Sequence, residues 1–201
     1  MRVNSKSIAF VIMFAAIAIG LNVIRVPAIY WPGNFYQFCE IPVVVAFLLF
    51  GAKIGLSVGV IHVAGQLMLF NYGPEWVPGY PVAFLALLVM MTGVSVGNWF
   101  IKRRVESNKV VDGKRTAIYL TAFGVLFRGG IMPFFDFWVF YRILLPIALA
   151  IPIPDSYIWG MMPFFIIFNA TVPLYSVSIG YLISTRVDRY LKIKPQAPTK
   201  V

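Results

Sequence analysis

The residues of this 201-residue chain that could carry chemistry are few, and most lie inside apolar runs. Gly93-Val94-Ser95-Val96-Gly97 has the G-x-S-x-G spacing of a hydrolytic nucleophile. His62, the only histidine, could act as its base at a comparable depth. That chemistry needs a strand–turn–helix elbow and a carboxylate as third member. Here the motif falls within an apolar helix with no carboxylate at its depth, so glycine-mediated helix packing is the preferred reading. An intramembrane serine hydrolase using Ser95 and His62 stays as the alternative from another class. One histidine and one cysteine, Cys39, argue against a zinc site or a disulfide framework. The P-loop pattern is absent, so ATP hydrolysis by that route is excluded. No enzyme activity, metal or cofactor is expected.

What remains is chemistry suited to binding. An ionisable group in the hydrocarbon costs about 2.5–3.5 kcal/mol on insertion scales, so each needs a reason. With a helix starting near Ala117, Arg128 lies about 17 Å along it and Asp136 about 29 Å along it. Arg128 then points into the protein, either to helix carbonyls or to an anionic ligand group. Asp136 and Arg142 either pair with each other or line a pocket mouth. Aromatic residues crowd the same side: Tyr30, Trp31, Phe35, Tyr36 and Phe38, then Tyr72, Trp76 and Tyr80, then Phe137, Trp138, Tyr141, Tyr157 and Trp159. An interfacial belt would mark both faces of a membrane. The opposite side has only Trp99, Phe100 and Tyr190 nearby. The asymmetry, with Asn34, Gln37, Glu40, Asn71 and Asn169 among the rings, points to a cavity that stacks a planar small molecule.

The elements that must position these groups follow from composition. The chain is 60% hydrophobic and 12% charged, with mean hydropathy +0.84. Soluble chains are roughly 45–50% apolar and about 25% charged. Apolar runs cover 7–24, 41–50, 54–70, 81–101, 117–151 and 157–183, and no gap between them exceeds about 16 residues. The expected fold is an all-α integral membrane protein with six transmembrane helices. Residues 1–190 form one membrane domain, and 191–201 form a short basic tail expected to be disordered.

The net charge of +10 is a topological signal in this setting. Fourteen of the 17 Lys and Arg lie before the first run, between the second and third, after the fourth and after the last. Six spans place all of these on one side, so both termini are expected to be cytoplasmic. A nucleic-acid surface is not expected. The parity also makes 41–70 a hairpin turning at Gly51-Ala52-Lys53, with 33–40 as irregular chain packed inside protein. The first run reads as a signal-anchor helix. The 117–151 run reads as one helix from about Thr116 to Leu145, kinked near Pro133, followed by an apolar outer loop through Pro154 that acts as a lid. Ala9, Ala16 and Gly20 form a small-residue stripe that could dock another membrane protein, although internal packing explains most such stripes.

Phe38-Cys39-Glu40-Ile41-Pro42 resembles the F-S-D-I-P at the start of the second helix in the S components of energy-coupling factor (ECF) vitamin transporters. Phe50-Gly51-Ala52-Lys53-Ile54-Gly55 with Gly59 resembles that family's GP-x-x-G-x-x-x-G hairpin, and Pro163 to Asn169 its P-F-N at the sixth helix. The 128–146 stretch is most similar to the riboflavin-binding branch, with Asp136 near the family's Asn and no Lys after Asn169. The resemblance implies a vitamin-binding, multi-pass subunit in a prokaryotic cell membrane. It implies capture of riboflavin or a similar flavin from outside, and work with a membrane coupling subunit and two cytoplasmic ATPase subunits. Thiamine, biotin, pantothenate or a queuosine precursor are the alternative substrates, and a stand-alone secondary transporter is a further reading. The expected substrate-binding residues are Tyr36, Gln37, Glu40, Trp76, Tyr80, Arg128, Asp136, Trp138 and Asn169. Ala9, Ala16 and Gly20 are the expected docking surface.

Overall fold

The computed structural model describes residues 5–30, 34–70, 76–106 and 112–191. The tail beyond 191 therefore lies outside the described residues, as do Trp31, Asn71 and Tyr72. The elements in chain order are α1 (Ser5–Leu21), β1 (Arg25–Pro27), β2 (Phe35–Gln37), α2 (Glu40–Phe50), α3 (Ala52–Leu69), α4 (Trp76–Glu106) and α5 (Gly113–Phe135). A π-helical stretch (Asp136–Leu144), α6 (Leu145–Leu149) and α7 (Asp155–Leu191) complete the chain. Four helical stretches are long and apolar enough to cross a membrane: Ala52–Leu69, Val77–Glu106, Gly113–Leu149 and Asp155–Tyr190. Ser7–Leu21 and Glu40–Phe50 are apolar but shorter.

The middle of the bundle is α2. It is apolar around its whole circumference, and a helix of that kind is stable only when surrounded. Ile41 to Ala46, Leu48 and Leu49 are all buried, and α1, α3 and α7 pack around it. Gly51 alone separates α2 from α3, at φ 95°, a backbone conformation that disfavours any residue with a Cβ. The turn expected at Gly51 is thus a single residue. Close approach of the helices depends on glycine elsewhere too. A Cβ on Gly93 would lie 2.4 Å from the Phe123 carbonyl oxygen of α5, and one on Gly180 would lie 2.6 Å from the Val44 side chain of α2.

The structure departs from the sequence reading in two segments that frame one end of the bundle. The stretch before α2 is not irregular throughout: β1 and β2 form a two-stranded antiparallel ribbon in which Val26 faces Tyr36. The expected lid after Leu145 is not a loop either. The helical path continues to Leu149, and only Ala150 to Pro154 connects it to α7. Pro133 has no N–H to give to Gly129 and crowds that carbonyl. The chain absorbs this by widening just beyond it, so that the Leu145 N–H donates to the Phe140 carbonyl five residues back. The helix therefore bends without ending, and Pro146 is tolerated in the first turn of α6.

Candidate functional site

A cavity of about 290 Å³ lies at the ribbon end of the bundle, enclosed by β2, the start of α2, α3, α4, the α5–π stretch and α7. Along the bent helix Arg128, Met132, Asp136, Phe140, Tyr141 and Leu145 all line it. Their spacing of four and five residues drifts around a 3.6-residue helix. The wider turn after Pro133 brings the later members back to the same face. The π-helical widening is thus what keeps the C-terminal part of this helix on the cavity.

The polar floor is a chain of four side chains, one each from α2, α5, the π-helical stretch and α7. Arg128 is 3% exposed and donates from Nη1 to Glu40 Oε2 at 2.6 Å. Its Nε donates to Asn169 Oδ1 at 3.3 Å, and Asn169 Nδ2 donates to Asp136 Oδ2 at 2.7 Å and to the Phe165 carbonyl at 3.0 Å. The amide of Asn169 therefore stands between a cation and an anion, oxygen toward the one and nitrogen toward the other. This fixes its orientation. The Arg128 guanidinium is paired with Glu40, 88 residues away, a partner that the sequence reading did not name. Arg142 likewise pairs with Asp155 at 2.8 Å rather than with Asp136.

A second polar group closes the side toward α1 and α3. Gln66 Nε2 donates to Asn22 Oδ1 at 2.9 Å and to Gln37 Oε1 at 3.4 Å. Gln66 Oε1 is buried without a hydrogen-bond partner. The hydroxyl of Tyr175 donates to the Gln37 carbonyl at 2.8 Å, and that of Tyr80 donates to the Phe70 carbonyl. Phe35, Phe140, Tyr141 and Phe168 supply the apolar walls.

Among the residues expected to bind substrate, the cavity brings together Gln37, Glu40, Tyr80, Arg128, Asp136 and Asn169. Tyr36 lies one layer behind, with its ring stacked on Phe168 at 4.9 Å and its hydroxyl bonded to that of Tyr30. Trp138 is 53% exposed and turned away from the cavity, with its ring against Phe137 and beneath the Arg142 guanidinium. Trp76 begins α4, but its side chain lies outside the described residues. Gln66 and Tyr175 line the cavity without having been singled out from sequence. The signal for Gln66 was available, because an amide in the middle of the apolar run 54–70 needs a reason just as a charge does. The docking candidates Ala9, Ala16 and Gly20 lie on the exposed face of α1, opposite the buried Phe14, Ala15 and Ala18.

The hydrolase geometry does not form. Ser95 lies on an exposed face of α4 and donates its hydroxyl to the Met91 carbonyl at 2.9 Å. His62 is buried in α3 with Nε2 unpartnered, and no hydrogen bond joins the two. Gly93 and Gly97 face α5, where Phe123 and Tyr119 approach the backbone. Just before α2, Cys39 is buried, with its thiol directed to Gln37 Oε1 at 3.5 Å. Among the described residues no cluster of His, Cys, Asp and Glu could hold a metal ion.

No family model and no curated protein matches the sequence. Among solved structures, the S component of a bacterial ECF transporter superposes with a TM-score of 0.63 at 20% identity, covering 93% of this chain and 98% of that one. The chain has the fold of an ECF transporter S component. At this identity the likeness concerns the fold, and the cavity and its lining are read from this chain's own residues.

Proposed function

We propose that this protein is the substrate-binding membrane subunit of an ECF-type importer. The observation that carries the reading is a cavity with a buried Arg128–Glu40 pair and an Asn169–Asp136 bond, set at one end of a bundle with an S-component fold. Buried charge of this kind is costly in a membrane and is kept where it lines a substrate path. The Lys and Arg distribution supports a reading with this end outside, six spans and both termini in the cytoplasm, and the proposed location is a prokaryotic cell membrane. Short α2 then crosses with the help of the ribbon and the chain around it.

Riboflavin or a similar flavin is the proposed substrate. Aromatic walls suit a planar ring system, and the 128–146 stretch is most like the riboflavin-binding branch. Gln37, Glu40, Tyr80, Arg128, Asp136 and Asn169 line the site directly, and Tyr36 supports it through Phe168. The exposed face of α1 carrying Ala9, Ala16 and Gly20 is the proposed docking surface for a coupling subunit, which links the chain to two ATPases.

The test is purification in detergent followed by mass spectrometry of whatever small molecule accompanies the protein. Riboflavin is expected to accompany it, or to quench its tryptophan fluorescence on addition. Colourless protein whose fluorescence ignores riboflavin removes the flavin assignment. Uptake in proteoliposomes should require the coupling subunit and ATPases, and uptake by this chain alone would refute the ECF reading.

A further inference from the structure

The charge inventory of the cavity is unbalanced. Among the described residues three charged side chains line it, Glu40, Asp136 and Arg128. In their ionised forms they leave one negative charge. Arg128 is paired directly with Glu40, so the surplus falls on Asp136, whose hydrogen-bond partner among the described residues is the neutral Asn169 amide.

The hydrogen-bonding inventory leans the same way, independently of charge. Gln66 lines the cavity, and its Oε1 is a buried acceptor to which nothing donates among the described residues. The hydroxyls of Tyr80 and Tyr175, which could have acted as donors to a ligand, are already given to backbone carbonyls. A buried acceptor left unmatched is destabilising, and a ligand that donates to it removes that penalty. A carboxylate or phosphate would meet acceptors and a like charge, and like-charge juxtaposition in a site screened from water is strongly unfavourable.

We propose that this cavity selects ligands whose polar end donates hydrogen bonds and is cationic or uncharged, such as an amino- or amidino-substituted nitrogen heterocycle, and rejects carboxylates and phosphates. The inference rests on reading the cavity as the substrate site. It narrows the substrates considered above: an acid such as biotin or pantothenate does not fit, whereas a neutral ring with N–H donors does. Asp136 is the residue that sets the preference.

Benzamidine, benzamide and benzoate are planar isosteres of charge +1, 0 and −1, and they separate charge from shape. Each is added at millimolar concentration to ligand-free protein in lipid nanodiscs, and apparent affinities are taken from the shift in thermal unfolding. The expected order is benzamidine, then benzamide, then benzoate, with benzamidine at least about tenfold tighter than benzoate. In Asp136→Asn, which keeps an oxygen for the Asn169 amide, the ratio should fall to about threefold or less. Benzamidine giving no shift, or none larger than benzoate, overturns the inference, as does an unchanged ratio in Asp136→Asn. The uptake assay does not depend on these probes and reports on the transport reading alone.

Discussion

The Arg128–Glu40 pair makes the sharpest energetic prediction. Glu40→Gln keeps the shape of the side chain and one acceptor oxygen but leaves the guanidinium without a counter-charge. At 2.6 Å and an effective dielectric of about 20, the lost attraction is about 6 kcal/mol. Two effects reduce this. The Gln oxygen still accepts a hydrogen bond, worth about 1 kcal/mol, and the Glu40 side chain is 14% exposed against 4% for Arg128, so water in the cavity can reach the pair. A net loss of about 3 kcal/mol is expected, at the lower end of the range for breaking a buried pair. Arg128→Met should cost a similar amount, because it strands Glu40 and removes the donor to Asn169 Oδ1. The double variant Glu40→Gln/Arg128→Met removes both charges, and its stability should return to within about 1 kcal/mol of the parent. Equilibrium unfolding of the four proteins in mixed micelles measures all of these values. Single variants that each cost less than about 1 kcal/mol, or a double variant whose loss is the sum of the two, would refute the argument that this pair is a buried, mutually compensating unit.

Three further predictions test other parts of the structure. Gly93→Ala should destabilise by about 1–3 kcal/mol, because its Cβ would meet the Phe123 carbonyl, while Gly20→Ala should be near neutral since nothing lies within 4 Å of it; thermal unfolding in detergent compares the two. Asp155→Asn should change stability by less than about 1 kcal/mol in the same assay, since its bond to Arg142 is exposed. A fluorophosphonate probe should label neither the parent protein nor Ser95→Ala, because the Ser95 hydroxyl is given to the Met91 carbonyl and has no base beside it; labelling that depends on Ser95 would restore the hydrolase reading.

The site was legible only in part, and the reason differs by residue. Asp136 and Arg128 stand out because charge in an apolar run is conspicuous, and Tyr80, Gln37 and Glu40 because they belong to the rings and polar groups crowded on one side. Trp138 looked equivalent to its aromatic neighbours, but the widened helix turns it outward while Phe140 and Tyr141 stay on the cavity. No local pattern announces that change of phase. The ribbon is similarly silent, because strands of three residues have too little local preference to be read against a loop.

By itself the sequence determined the mainly helical character, the positions of the apolar helices, the break at Gly51 and the surplus of cations in particular gaps. Each of these is local, set by hydropathy summed along the chain or by the freedom of one glycine. Tertiary structure alone decided which polar groups meet. Glu40 and Arg128 are 88 residues apart, and Arg128 and Asn169 are 41 apart, so no spacing rule joins them. It also decided that the helix bends through Pro133 to Leu149 instead of stopping, because packing of this stretch against α4, α5 and α7 outweighs what two prolines cost locally. The sequence supplied the charges, and the packing of the helices decided that Glu40, and not Asp136, pairs directly with Arg128.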